Sequence, residues 1–280
     1  MMPTARDQER PELRDRARED EGSRNSVLGK ASVLLSAFGP DRPEMSLAEL
    51  VRRTGLHKST AHRLAQFLVQ VGWLDHTDGA YCVGVRVFEL SALVKYRRGL
   101  RETAVPFMQD LYERTHEIVH LGVLQGTDVL YIDKIGGHES MSLPSRVGGR
   151  MPAHSTGLGK AMLAHSPPEV VAAVIRAGLP RRGPHTVTAP KLMLSELIST
   201  SNRGYAVDHE ESGRGIACAA AVILNRGQVV GALSVTGPRF RVDPERLAPA
   251  VRTAALGVSR LLVSAQSDPH STRRAEDRVG

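Results

Sequence analysis

The sequence predicts an α+β chain in which an N-terminal winged helix-turn-helix domain is joined by a helix to a C-terminal domain of strands and helices. Three observations predict it. Ser46 to Gly72 reads as two short helices broken at Thr54-Gly55. Trp73 to Val83 reads as a hairpin around Asp78-Gly79. Beyond Val119 the apolar pattern changes to short runs separated by turn residues and interleaved with helix-length segments.

Residues 1 to 24 are rich in Arg, Asp and Glu and nearly free of large apolar groups. Such a stretch buries too little surface to offset its ordering entropy, so a disordered charged arm is expected there. The winged domain is expected over residues 25–84. Val27, Ala31, Leu34, Leu35 and Phe38 mark a first amphipathic helix ended by Gly39-Pro40. Ser46 and Glu49 have the spacing of a capping box, which starts the second helix at Leu47. Gly55 supplies the left-handed residue that ends it. The third helix runs from about His57 to Val71, with Ala61, Leu64, Leu68 and Val71 on one face. That arrangement leaves His57, Lys58, Ser59, His62 and Arg63 on the other face or at the N-terminal end. Trp73-Leu74-Asp75 and Tyr81-Cys82-Val83 form the wing.

A linker helix is expected from Val85 through Arg98 and a linker segment over 85–100, its last turn rich in cations that suit a helix C-terminus. The second domain is expected over residues 101–265. It opens with a helix from Glu102 to Thr115, in which Pro106 falls near the first turn. Strands follow at Val119–Leu124 and Val129–Ile135, with a weak one near Met141–Ser145. Helices are expected at Gly157–Ala164, Pro168–Ala177 and Pro190–Arg203. Three further strands begin at Tyr205, Ala217 and Val229, and a last helix covers Pro244 to Ser264. Strands in hairpins with helices gathered on one side make this domain α+β. Residues 266–280 read as a disordered polar tail.

Composition narrows the function. The 280-residue chain is 41% hydrophobic, enough for two ordinary cores. It has no run of 18 apolar residues and no apolar segment near its charged N-terminus, so no membrane association is expected. The two cysteines, Cys82 and Cys218, lie far apart and read as reduced thiols, which points to the cytoplasm. The net charge is +7 with a pI near 9.8. Lys and Arg outnumber Asp and Glu by 10 to 6 over residues 26 to 99, against 6 to 7 over residues 1 to 25. The positive excess is densest where the helix-turn-helix lies, as a nucleic-acid partner requires.

Several separated motifs together resemble the IclR family of transcriptional regulators, from about Ser26 to Leu262. They are Thr54 to Leu64 (TGLHKSTAHRL), Val129 to Ile135 (VLYIDKI), Pro152 to Ala164 (PAHSTGLGKAMLA), Arg203 to Glu211 (RGYAVDHEE) and Leu233 to Pro238 (LSVTGP). The resemblance implies a winged helix, a linker helix and a GAF-like effector-binding domain, assembled as a homodimer or a dimer of dimers. It implies a sequence-specific DNA-binding regulator, with repression the expected sign, that requires no cofactor and catalyses no reaction. Effector contacts carried over from it are Thr156, Gly157, Leu158, Asp208, Cys218, Ser234 and Thr236. The chain departs from the family at Ala219, Val222 and Leu224, which are expected to alter the pocket wall.

The residue chemistry supports both sites. Lys58, Ser59, Thr60, His62 and Arg63, with His57, present donors to base edges and phosphates, and Arg52, Arg53 and His76 are further phosphate partners. The competing structural roles are a half-buried Thr60 and an Arg63 that packs its stem and pairs with an acid. The wing tip carries Asp78 and no cation, so little phosphate binding is expected there. Ser234 and Thr236 alternate onto one face of a strand, where their hydroxyls can bond a small polar ligand. Amides at the helix start after Ser155 suit a carboxylate effector.

Two motifs mislead. His116-Glu117-Ile118-Val119-His120 matches the H-E-x-x-H pattern of a zinc hydrolase, the alternative reading. That chemistry needs a helix, whereas here a helix gives way to a strand, in which four residues span roughly 13 Å. Gly157-Leu158-Gly159-Lys160-Ala161 resembles a phosphate loop, but His154 and Ala161 stand where its first glycine and hydroxyl belong. No nucleophile elbow is present, so His154 and Ser155 read as pocket-lining or capping residues.

Overall fold

A computed structural model describes residues 26–39, 42–94, 98–136 and 145–265. The expected arm, the polar tail and residues 141–144 of the weak strand lie outside the described residues. The chain divides into two compact units, Met1–Lys95 and Tyr96–Gly280, so the boundary falls inside the expected linker segment.

In the first unit, α1 (Val27–Leu35), α2 (Leu47–Thr54) and α3 (Lys58–Gln70) pack Leu34, Leu50, Ala61, Leu64 and Leu68 into one core with Met45, Leu74 and Tyr81. Ser46 caps α2: its Oγ accepts from the Glu49 amide at 3.4 Å, and the Glu49 carboxylate accepts from the Ser46 amide at 3.0 Å. Gly55 ends α2 with φ +69°, a conformation that a side chain would strain. The wing strands are β2 (Leu74–Thr77) and β3 (Ala80–Val83), with Asp78 and Gly79 both at positive φ in the turn. A third strand, β1 (Glu44–Ser46), lies on the other side of β3. It is too short to carry a periodic signal and exists only through its pairing with β3.

The helix after the wing, α4 (Val85–Ala92), is shorter than expected. Residues 95–97 lie outside the described residues, and Arg98 begins the next helix, α5 (Arg98–Thr115). Pro106 therefore stands in the interior of α5, well past its first turn. It removes one backbone hydrogen bond there. The helix continues because Leu100, Ala104, Met108 and Leu111 bury against the sheet.

The second unit is built on a six-stranded antiparallel sheet in the order β6-β5-β4-β9-β8-β7. The strands are β4 (Ile118–Gln125), β5 (Asp128–Ile135), β6 (Arg150–Pro152), β7 (Ala206–His209), β8 (Ile216–Asn225) and β9 (Gln228–Pro238). Strand alternation sorts their side chains. Val119, Leu121 and Val123 of β4, Ala219, Ala221 and Ile223 of β8, and Leu233 and Val235 of β9 meet α5 and α9 (Pro244–Ala265). On the opposite face, Cys218, Ala220 and Ala232 share a core with α6 (Gly157–Leu163), α7 (Pro168–Ala177) and α8 (Pro190–Arg203).

Helices therefore cover both faces of the sheet, not one as expected. The sequence placed β4, β5, β7, β8 and β9 but not β6, and it carried no direct sign of which face each helix joins. By length and composition α9 could cross a membrane. It instead buries Ala248, Val251, Ala255 and Val258 as a core helix.

Candidate functional site

The sheet face beneath α6 builds a polar-lined cavity. Register brings Thr236 of β9 level with Cys218 of β8, and Cys218 level with Asp208 of β7. One step along, His120 of β4 pairs with Ser234. Above this face α6 starts at Gly157, where a Cβ would stand 2.9 Å from the Cys218 sulfur. Only glycine lets the helix start so close to β8. Thr156 caps α6, its Oγ1 accepting from the Gly159 amide at 3.1 Å.

All seven residues carried over as effector contacts, Thr156, Gly157, Leu158, Asp208, Cys218, Ser234 and Thr236, line this cavity. So do His120, Tyr131, Ser145, Met151, Ser212 and Ile216, which the sequence did not single out. Strand alternation was the available signal for His120, a polar residue between Val119 and Leu121 on a buried strand. The H-E-x-x-H match obscures that signal. Ser145 carried no signal, since its place depends on the path of the chain between β5 and β6. The free space among these side chains is about 20 Å³, room for about one water molecule.

The electrostatics follow from burial. His120 is 2% exposed, and its Nε2 lies 2.9 Å from Ser145 Oγ and its Nδ1 3.5 Å from Thr236 Oγ1. Burial, with a smaller repulsion from Lys134, pushes its pKa down to about 3, so the ring is neutral. Tyr131 meets it edge-on with ring centres 5.1 Å apart. Burial, aided by Asp208, pushes the Cys218 thiol up to about 12, which makes it unreactive. Asp208 is 2% exposed, and burial raises its carboxyl pKa. Its Oδ1 accepts from the amides of Glu211 at 2.7 Å and Ser212 at 3.3 Å, which offsets part of that cost.

Some expected pocket features fall elsewhere. Ala219 faces α9 on the far side of the sheet. Val222 packs at the edge of the core shared with α6, Leu224 is half-buried near the end of β8, and neither is among the cavity-lining residues. The departures at these three positions therefore do not alter the pocket wall. His154 Nε2 donates to the Pro180 carbonyl at 3.0 Å, and Ser155 donates to the Pro152 carbonyl at 3.3 Å. Both stand outside the cavity, and capping falls to Thr156.

The H-E-x-x-H residues are dispersed. His116 sits in a left-handed turn at φ +54°, Glu117 is gripped by the guanidinium of Arg241 at 2.5 and 2.9 Å, and His120 faces the cavity from β4. His116, Glu117 and Arg241 border a separate open cleft of about 460 Å³. Among the described residues no cluster of three His, Cys, Asp or Glu side chains could hold a metal.

In the first unit, His57, Lys58, Ser59 and His62 line an open concavity with Leu47 at the start of α3. All four, and Arg63, are exposed, whereas Thr60 is half-buried. Arg63 has no ion-pair partner among the described residues. Arg52 and Arg53 lie exposed at the end of α2, Arg52 at 3.9 Å from Glu49. His76 lies exposed on β2, stacked on Tyr81 at 4.2 Å between ring centres.

Comparisons with known proteins match these two units in turn. Residues 27–78 match the IclR helix-turn-helix domain and residues 92–260 the bacterial transcriptional regulator IclR C-terminal domain. The chain is 31% identical to the HTH-type transcriptional regulator XynR of Escherichia coli over 83% of its own length and 95% of that protein. It is 30% identical to the transcriptional repressor IclR of Escherichia coli, covering 79% and 82% of the two chains. A solved IclR homolog from Microbacterium hydrocarbonoxydans, complexed with 4-hydroxybenzoate, superposes with a TM-score of 0.79 at 33% identity, covering 85% of this chain and all of that one.

Proposed function

The chain belongs to the IclR family of bacterial transcriptional regulators, and from that premise we propose that it is a cytoplasmic, homo-oligomeric repressor released by a small carboxylic acid bound beneath α6. The observation that carries this reading is the cavity. Hydroxyls, a neutral imidazole and an acid from separate strands converge there under a helix start. Ser145, Ser234, Thr236 and the His120 ring offer hydrogen bonds to a carboxylate or a ring hydroxyl. Tyr131, Met151, Leu158 and Ile216 offer apolar walls to a ring. The 4-hydroxybenzoate held by the Microbacterium homolog has both chemistries, which makes it the first compound to try.

On this reading Lys58, Ser59, His62 and Arg63 enter the major groove, Lys58 reaching a phosphate there, and Thr60 supports them from its half-buried position. Arg52, Arg53, His57 and His76 contact phosphates. One α3 reads only a half-site, so specificity needs a second copy and two half-sites about one helical turn apart. Effector binding changes the relative placement of the two winged domains and so their fit to that spacing. No catalytic step is assigned, in keeping with relatives that are regulators.

Genome-wide mapping of bound sites tests the DNA half of the reading and should return paired half-sites. Thermal-shift titration with 4-hydroxybenzoate and related acids tests the ligand half. An absence of discrete bound sites, or no stabilisation by any small acid, would overturn the corresponding half.

A further inference from the structure

We propose that Lys160 is a positioning residue that latches the cavity shut, tying α6 to the loop after β7, and that the cavity opens when Lys160 passes from Glu211 to Glu196. The inference rests on the reading of the cavity as the effector site.

The cavity has two walls that meet at this lysine. One is the start of α6, which supplies Gly157 and Leu158. The other is the segment Asp208 to Ser212, both of whose end residues line the cavity. Lys160 lies on α6 and is 1% exposed, among the most deeply buried side chains of the described residues. Its Nζ stands 2.5 Å from Glu211 Oε1, in the middle of the second wall. Glu211 in turn fixes its neighbours, because its amide donates to Asp208 Oδ1 at 2.7 Å and its carbonyl accepts from Thr186 Oγ1 at 2.6 Å. The ion pair therefore holds Asp208 and Ser212 against the helix start.

A cavity with about 20 Å³ of free space cannot admit an aromatic acid unless these walls part. Parting them would ordinarily leave a buried ammonium unpaired, at prohibitive cost. Glu196 of α8 removes that obstacle. Its Oε1 lies 3.4 Å from Lys160 Nζ and already accepts from Arg203 Nη2 at 2.8 Å. Lys160 thus keeps an anionic partner when Glu211 moves away. Glu211 is the less settled of the two partners, since its Oε2 is buried with no hydrogen-bond partner among the described residues. Opening lets that oxygen reach solvent or ligand.

Cys218 reads the opening directly, because its buried, protonated thiol faces the cavity and alkylates only when solvent enters. The experiment measures iodoacetamide labelling of Cys218 by mass spectrometry, in a Cys82→Ser background, alongside the melting temperature of each variant. It requires no effector, so a failed acid screen leaves it intact. Replacing both latch partners with neutral residues, Lys160→Met with Glu211→Gln, avoids stranding a lone buried charge. Labelling is expected to rise about tenfold at little change in melting temperature. Glu196→Gln removes the second seat and leaves the latch, so labelling is expected to slow by about threefold. A generally weakened fold would label faster in both. The proposal is overturned if Glu196→Gln labels as fast as the parent or faster, or if the double variant labels no faster. If the double variant fails to fold, the Glu196→Gln rate alone decides.

Discussion

The start of α3 and the cavity beneath α6 are both clusters of polar side chains, but they are built on opposite principles. At α3 the side chains of Lys58, Ser59, His62 and Arg63 stand exposed, and among the described residues no hydrogen bond or ion pair joins them to one another. In the cavity His120 leans on Ser145 and Thr236, and Asp208 on the amides of Glu211 and Ser212. Exposed cations act separately, and salt weakens each of them alike. Buried polar groups act through their neighbours, so removing one disturbs several. Losses at α3 should therefore appear in DNA affinity with stability unchanged, and losses in the cavity in stability and pH dependence together.

The sharpest way to break that contrast is acid. His120 has a folded pKa of about 3 against an ordinary value near 6.5. The unfolded chain takes up the proton first, so the stability of the neutral buried ring is complete above about pH 6.5 and is lost as pH falls toward 3. The loss is about 1.4 kcal/mol per pH unit, or roughly 4–5 kcal/mol over the window. Urea unfolding followed by far-UV circular dichroism should show His120→Gln flattening that slope. Equal slopes in the two proteins would remove His120 from the account.

A smaller effect is expected at Gly157. An alanine Cβ would meet the Cys218 sulfur at 2.9 Å, which overpacks the site by about 1–3 kcal/mol. Cys218→Ala in the same chain should recover most of the loss, and a failure to recover it would show that the helix start is not seated on Cys218. In the first unit Ser46→Ala removes the α2 cap and should cost about 1 kcal/mol. The fluorescence of Trp73, the single tryptophan, reads that change in the winged domain, and His120→Gln should leave it unmoved at neutral pH. Smallest of all in stability, Lys58→Ala should stay within about 0.5 kcal/mol of the parent. It should nevertheless weaken DNA binding and reduce the slope of log affinity against log salt by about 1. An unchanged slope would take Lys58 off the phosphate backbone.

The two regions also differed in how far their sequence could be read. Local chemistry wrote α2 and α3 plainly, because a capping box and a left-handed glycine act within a few residues. Ser234 and Thr236 were legible for the same reason, as alternation along one strand. What was not legible depends on pairing across distance. The three residues of β1 and of β6 are strands only because β3 and β5 lie beside them. His120 belongs to the cavity because β4 pairs with β9, a register set by residues more than a hundred positions apart. The alternation rule, carried one strand further, would also have sent Ala219 to the far face of the sheet. Pro106 stands in the interior of α5 and not near its first turn because tertiary burial extends the helix back to Arg98, against the local rule.

The most direct test of the account joins its two halves in one titration. Fluorescence anisotropy on a mapped DNA site, with 4-hydroxybenzoate added to saturation, should show DNA affinity falling about tenfold, within the usual range of coupling between two sites. The same addition should leave Ser234→Ala/Thr236→Val unresponsive. A wild-type protein that is stabilised by the acid yet holds DNA equally well with and without it would contradict the claim that the cavity controls α3.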